Sequence, residues 1–387
     1  MHKADAMKFS TFTLEGARPQ RRVGRRHGCL FANALVLAAA VLGGCGGGSS
    51  DPAASSTTSA GVAFAAGTQS SLNTQMQAVL DQLAALGTKP INTLTVAQAR
   101  TQPGPPDAVK ALLVKQGKNT APEPVGSLVE SIFPGPAGPV PISIYTPVGA
   151  GPFPVVLYIH GGGFVIADRK VYDGSARALT NAAKAIVVST DYRLGPENKF
   201  PAAHDDTYAA YLWVRANAGQ FGGDPVRVAV AGESAGGNLA ASITIRARTQ
   251  NVPLPVYQVL VYPVTNYAFD TPSQLANVNT APLSSKDLPW FYDRYLASPA
   301  DGANPLFSVL RASLRGLPPA TVITADIDPL RSEGAAYVQK LMDAGVVVDY
   351  RNYPGVTHEF FGMGAVLDDA KQAVAQAALG LRKAFGN

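Results

Sequence analysis

The stretch Val228-Ala229-Val230-Ala231-Gly232-Glu233-Ser234-Ala235-Gly236-Gly237-Asn238-Leu239 decides the fold. A short β-branched run stops at Gly-x-Ser-x-Gly, and an Ala-rich helical pattern follows at once. A strand, a sharp turn and a helix in that order hold one serine in a strained conformation with its hydroxyl exposed. Glycines flank the serine because a Cβ on either side would strike the neighbouring strand or helix. The helix behind Ser234 turns unpaired N–H groups, and a dipole that favours anions, toward the same small volume. Alone, the five-residue pattern is weak: with 38 glycines in 387 residues, chance supplies roughly 0.3 matches. Its flanking elements, and partners elsewhere in the chain, carry the weight.

Serine is a poor nucleophile until a base takes its proton, and histidine is the usual base. Of five histidines, His2 and His27 lie in a leader-like segment, which leaves His160, His204 and His358. His358 follows the last strand pattern, in Tyr353-Pro354-Gly355-Val356-Thr357-His358-Glu359-Phe360-Phe361. Asp326-Ile327-Asp328-Pro329-Leu330-Arg331 follows a strand-like run at 320–324, so either aspartate stands at a strand end and can orient an imidazole through its Nδ1–H. Nucleophile, acid and base then run along the chain in an order that serine hydrolases use. His160 opens His160-Gly161-Gly162-Gly163-Phe164 after a strand-like run at 154–159. Chance supplies such a His-Gly-Gly-Gly only about 0.005 times in this chain. Bare N–H groups in a glycine loop can stabilise the oxyanion of acyl transfer, and the N–H of Ala235 adds a donor. A phosphate cradle is the competing reading, but no Lys-Ser/Thr follows and no acidic residue stands where a ribose needs one. His160 is expected to hold the loop by hydrogen bonds, not to act as a second base.

From residue 125 onward strand and helix patterns alternate. Strand-like runs fall at 140–145, 154–159, 185–190, 227–231, 256–262, 320–324 and 346–353. Helical patterns fall at 173–183, 202–218, 236–249, 333–344 and 368–385. This alternation predicts an α/β fold with a mostly parallel, doubly wound sheet covered on both faces, its functional residues at the carboxyl ends of strands. Residues 266–305 break the rhythm and contain the helical, aromatic Asp287-Leu288-Pro289-Trp290-Phe291-Tyr292-Asp293-Arg294-Tyr295-Leu296. Upstream, Leu72, Met76, Val79, Leu80, Leu83 and Leu86 give helical spacing over 69–86. A proline-broken region follows, then a short helical pattern at 107–116. The helices of 69–124 and the 266–305 insertion are expected to form a cap over the site.

The chain is 47% hydrophobic, 15% charged and carries a formal charge of +5. That excess is no sign of nucleic acid. Lys3, Lys8, Arg18, Arg21, Arg22, Arg25 and Arg26 precede the first apolar run, opposed only by Asp5 and Glu15. Without that segment, 32 basic and 27 acidic residues become 25 and 25. The segment reads as an export signal over 1–44: a positive n-region, an apolar run at 30–42 too short to span a bilayer comfortably, and Leu42-Gly43-Gly44-Cys45, which resembles a bacterial lipobox. The resemblance implies cleavage before Cys45, a lipid on its thiol and attachment to a cell-envelope membrane. An ordinary secretory signal and a single N-terminal anchor helix are the rival readings. Gly46, in place of Asp, points away from inner-membrane retention and toward the outer membrane in a Gram-negative host. The arginine pairs raise twin-arginine export, which the following residues fit poorly. Residues 45–68, rich in Gly, Ser, Thr and Ala, read as a flexible tether. Cys29 and Cys45 are the two cysteines, so the mature chain has no disulfide and no thiolate metal site.

Together these pieces resemble the bacterial hormone-sensitive-lipase family of α/β-hydrolase esterases. The matching segments are His160-Gly161-Gly162-Gly163-Phe164, Asp191-Tyr192-Arg193-Leu194-Gly195-Pro196-Glu197, Phe200-Pro201-Ala202-Ala203, Gly232-Glu233-Ser234-Ala235-Gly236-Gly237, Leu317-Pro318-Pro319-Ala320, Asp328-Pro329-Leu330-Arg331-Ser332-Glu333-Gly334 and His358. The resemblance implies Ser234 as nucleophile, Asp328 rather than Asp326 as acid, and His358 as base. It implies Gly161, Gly162 and Ala235 as oxyanion donors, with His160, Gly163 and Glu233 in support. Two departures stand out: Glu233 where many members have Asp, and Glu359 where Gly is commoner. The implied activity is hydrolysis of short- to medium-chain acyl esters, small-molecule substrates, with neither metal nor organic cofactor. The aromatic stretch around Trp290 is expected to bound a short acyl pocket. An amidase or deacylase with the same triad, and a catalytically silent surface-binding module, are the alternatives.

Overall fold

Strand β3 (Phe153–Ile159) shows how the chain builds its core. Its Val155, Leu157 and Ile159 face one side of a sheet and Val156 and Tyr158 the other, all buried. An uninterrupted apolar run of this kind suits only a strand covered on both faces. In this computed structural model, which describes residues 70–386, eight strands form one sheet in the order β1-β2-β4-β3-β5-β6-β7-β8. The other strands are β1 (Ser127–Gly135), β2 (Gly138–Thr146), β4 (Ile186–Thr190), β5 (Gly223–Glu233), β6 (Gln258–Val261), β7 (Ala320–Ile327) and β8 (Val348–Thr357). β1 and β2 pair antiparallel, as do β2 and β4. The remaining neighbours are parallel. The signal, the tether and Cys45 lie outside the described residues.

The helices are α1 (Thr74–Ala85), α2 (Val96–Thr101), α3 (Pro105–Lys115), α4 (Asp173–Ala183), α5 (Ala202–Asn217), α6 (Ala235–Thr249), α7 (Pro272–Ala276), α8 (Asp287–Tyr295), α9 (Arg331–Asp343) and α10 (Asp368–Phe385). Helices α5, α6 and α9 give apolar side chains to one face of the sheet, and α1, α3, α4 and α10 to the other. That is the doubly wound arrangement which right-handed crossovers impose on a parallel sheet.

Three features depart from the pattern reading. β1 carries no clean alternation, because Leu128, Val129 and Ile132 on it are exposed and of its nine residues only Phe133 is buried. Its pairing with β2 across the Gly135–Gly138 turn makes it a strand. The proline-broken region holds α2, started by a reciprocal capping box between Thr95 and Gln98. Helix α1 begins at Thr74, where the Asn73 side chain accepts from the Met76 N–H (2.7 Å).

Polar ties fix the N-terminal helices and the segment after β6. Asp287 of α8 accepts from the Asn92 N–H (2.8 Å), and the Trp290 indole donates to the Leu94 carbonyl (2.9 Å). Arg100 on α2 donates to the Val165 and Gly195 carbonyls and to both oxygens of Glu197. Glu333 on α9 accepts from the Thr265 and Asn266 N–H groups (2.7 and 3.2 Å). Burial pushes that carboxyl up to about 8. Leu157 is fully buried on the central strand, so Leu157→Ala is expected to cost about 2–5 kcal/mol by urea denaturation.

Candidate active site

Four parallel strands deliver one residue each to the same rim. His160 follows the last residue of β3, Ser234 that of β5, Asp328 that of β7 and His358 that of β8. Parallel strands end on one side of the sheet, so residues far apart in sequence converge there.

Ser234 sits at φ 56° and ψ −119° between β5 and α6, a conformation costly for any residue with a Cβ. Tight packing holds it. The Ser234 N–H donates to the Val261 carbonyl (2.9 Å). A Cβ on Gly232 would meet the Gly236 backbone, and one on Gly236 would meet the Ile159 and His160 carbonyl oxygens. Both glycines are therefore required by close backbone approach.

His358 joins the other two members. Its Nε2 lies 2.9 Å from Ser234 Oγ and its Nδ1 lies 2.7 Å from Asp328 Oδ2. The carboxylate only accepts, so Nδ1 carries the proton and Nε2 is free to accept from the serine. Ser234, Asp328 and His358 are 5%, 0% and 3% exposed. The Leu330 N–H donates to the other Asp328 oxygen (2.8 Å). Asp326 turns elsewhere, to Arg331 (2.5 Å), Ser70 Oγ (2.5 Å) and Asn352 (3.1 Å). Regular strand geometry would put residues two apart on one face, but the ladder is irregular between Ala325 and Ile327 and β7 ends there.

The glycine loop stands beside the serine. A Cβ on Gly161 would come 3.1 Å from Ser234 Cβ. His160 Nδ1–H donates to the Gly161 carbonyl (2.8 Å), and the His160 ring stacks on Tyr192 at 4.2 Å. The Tyr192 hydroxyl reaches the His160 and Gly161 carbonyls, both at 3.0 Å. Burial lowers the His160 pKa from the ordinary histidine value. Among the described residues, the N–H groups of Gly161, Gly162, Gly163 and Ala235 donate to no acceptor. Phe291 of α8 fills the place a Gly163 Cβ would take. The third candidate, His204, is buried near Asn238 and Tyr295, with its pKa lowered to about 4 by burial.

The sequence showed Glu233 and Glu359 as family departures without their surroundings. Glu233 is buried and takes hydrogen bonds from the Tyr158 and Tyr262 hydroxyls. Burial, then the neighbouring Glu359, push it up to about 7. Glu359 has φ 70° and accepts from the Tyr172 hydroxyl (2.8 Å). Tyr158 and Tyr262 belong to ordinary strand-like runs, and no sequence signal marks their hydroxyls as partners of a carboxyl.

A cavity of about 1380 Å³ opens onto Ser234 and His358. Leu288, Phe291 and Tyr292 of α8 and Leu113 of α3 line it. Leu288, Phe291 and Tyr292 belong to the aromatic stretch around Trp290 expected to bound the pocket, while the Trp290 indole itself donates to the Leu94 carbonyl.

Fold and rim together define an α/β-hydrolase. A family model described as alpha/beta hydrolase fold matches residues 156–362, and the chain belongs to that family, in its hormone-sensitive-lipase-like branch. Carboxylic ester hydrolase LipN of Mycobacterium tuberculosis is 42% identical over 238 residues, covering 60% of this chain and 63% of that protein, just under two thirds of its length. Carboxylesterase NlhH of the same species is 40% identical over 252 residues, covering 64% of this chain and 79% of that protein. Among solved structures, the hyperthermophilic esterase from the archaeon Pyrobaculum calidifontis matches with a TM-score of 0.74 at 36% identity, covering 82% of this chain and all of that one.

Burial pulls the His358 pKa down, but the charge and hydrogen bond of Asp328 outweigh it and carry the imidazole above the ordinary 6.5. NMR titration of this ring should place it above that value. In Asp328→Asn the largest attraction is gone while Glu359 and Glu233 still favour the charged ring, so the titration should move down from its wild-type value; an unmoved value contradicts the pairing.

Proposed function

We propose that this chain is a serine carboxylesterase, a reading carried by one observation: the unbroken hydrogen-bonded line Asp328–His358–Ser234 beside amides that donate to nothing else. In this reading His358 Nε2 takes the Ser234 proton as Oγ attacks the ester carbonyl. Asp328 holds the tautomer and stabilises the imidazolium that forms. The oxyanion settles against the N–H groups of Gly161, Gly162 and Ala235, with Gly163 close by. Imidazolium then protonates the leaving alcohol. Water, deprotonated by the same ring, hydrolyses the acyl-enzyme and restores Ser234.

The relatives named as ester hydrolases support this chemistry. The helices of 69–124 and the 266–305 insertion, tied at Asp287 and Trp290, serve as the cap. Phe291 stands against the oxyanion loop at Gly163 and bounds the space beside Ser234, which favours short to medium acyl chains. The N-terminal sequence supports export and a lipid anchor at Cys45, placing the enzyme on a cell-envelope membrane.

Ser234→Ala is expected to reduce hydrolysis of a short-chain aryl ester below about a thousandth of wild type, with little change in thermal midpoint. Asp326→Asn should lower stability while keeping most turnover, whereas Asp328→Asn should lose most turnover; the reverse ranking would reassign the acid. Cys45→Ser should abolish incorporation of radiolabelled palmitate and move the protein from the membrane to the soluble fraction. Palmitate labelling that survives the substitution counts against the anchor.

A further inference from the structure

Glu359 stands at this rim, and the hydrolytic cycle leaves it without work. Its backbone is left-handed, φ 70°, where glycine is at ease and a glutamate is strained. Its side chain nevertheless points into the catalytic space: Oε1 lies 3.8 Å from His358 Nε2, the side chain keeps 20% exposure, and the residue lines the cavity. Among the described residues its carboxylate takes one hydrogen bond, from the uncharged Tyr172 hydroxyl, and its only ion-pair neighbour is His358. Burial and the nearby Asp328 push Glu359 up, while His358 and the Tyr172 hydroxyl favour its charged form. Among the described residues no Lys or Arg is paired with it, so a cationic group on a substrate would stabilise the carboxylate.

Position says which half of a substrate would supply one. Nε2 hands its proton to the leaving oxygen, which must come within about 3 Å of it. A carboxylate oxygen 3.8 Å from the same nitrogen therefore faces the alcohol half of the ester. The cavity that Glu359 lines is also lined by Tyr172, Phe291, Tyr292 and Phe361, and aromatic side chains with a carboxylate suit an ammonium group.

We propose that Glu359 is a specificity-determining residue which selects esters whose alcohol carries an ammonium group a few atoms from the ester oxygen. This rests on the esterase reading. The test compares acetylcholine with 3,3-dimethylbutyl acetate, its uncharged isostere, as substrates of wild type and Glu359→Gln. Wild type should show kcat/KM at least about tenfold higher for the cationic ester. In Glu359→Gln the ratio should fall to near unity, whatever happens to the absolute rates. A purely structural Glu359 would change both rates and leave the ratio alone. Choline should also inhibit wild type more strongly than 3,3-dimethylbutanol, which decides the matter should the variant not fold. A wild-type ratio at or below unity, a ratio unchanged in the variant, or equal inhibition by the two alcohols overturns the proposal. Hydrolysis of both esters without preference sinks this inference alone. Failure to hydrolyse either, with Ser234 untouched by a fluorophosphonate probe, sinks the esterase reading as well.

Discussion

The left-handed backbone at Ser234 is a local cost that the surrounding sheet sustains. Gly232 and Gly236 let β5 and α6 close on each other until only hydrogen atoms fit between them, and Gly236 rides against the carbonyl end of β3. The Ser234 N–H is held by β6 through Val261. Three strands and one helix thus enforce a conformation that an isolated peptide would abandon. In return the hydroxyl stands clear of its own backbone, at a helix N-terminus, facing the rim where β7 and β8 also end.

Charge is handled unusually at that rim. Three carboxyl groups crowd His358, and the groups that answer them are mostly neutral hydroxyls. Asp328 is committed to the imidazole and a backbone N–H. Glu233 is met by Tyr158 and Tyr262, and Glu359 by Tyr172. Hydroxyl donors satisfy hydrogen-bonding capacity without cancelling charge, so burial still raises both glutamates. Arg331, which does neutralise a carboxylate nearby, is paired with Asp326.

Legibility in the sequence followed the range of the forces involved. Local patterns show the elbow, the glycine loop and the alternation of strands and helices, because each rests on neighbours within a few residues: a β-branched run, a Gly pair, a 3.6-residue period. Strand β1 escaped because it is an exposed edge, held by cross-strand hydrogen bonds to β2 and not by an apolar face. The aromatic stretch around Trp290 was legible as a pocket wall, but which of its rings face the space was not: the Trp290 indole bonds to Leu94, and Phe291 and Tyr292 line the cavity.

Residue types and their order along the chain were enough to mark serine, histidine and an aspartate as one set, since strand ends on a parallel sheet must meet at one rim. The choice of Asp328 over Asp326 required a family resemblance at the level of sequence, and in the folded chain it comes from the irregular end of β7 and from Ser70, Asn352 and Arg331 claiming Asp326. The surroundings of Glu233 and Glu359 came into view only in three dimensions. Their partners, Tyr158, Tyr172 and Tyr262, lie on separate elements, and burial, which sets the protonation of both acids, is a property of the packed molecule and of no single segment.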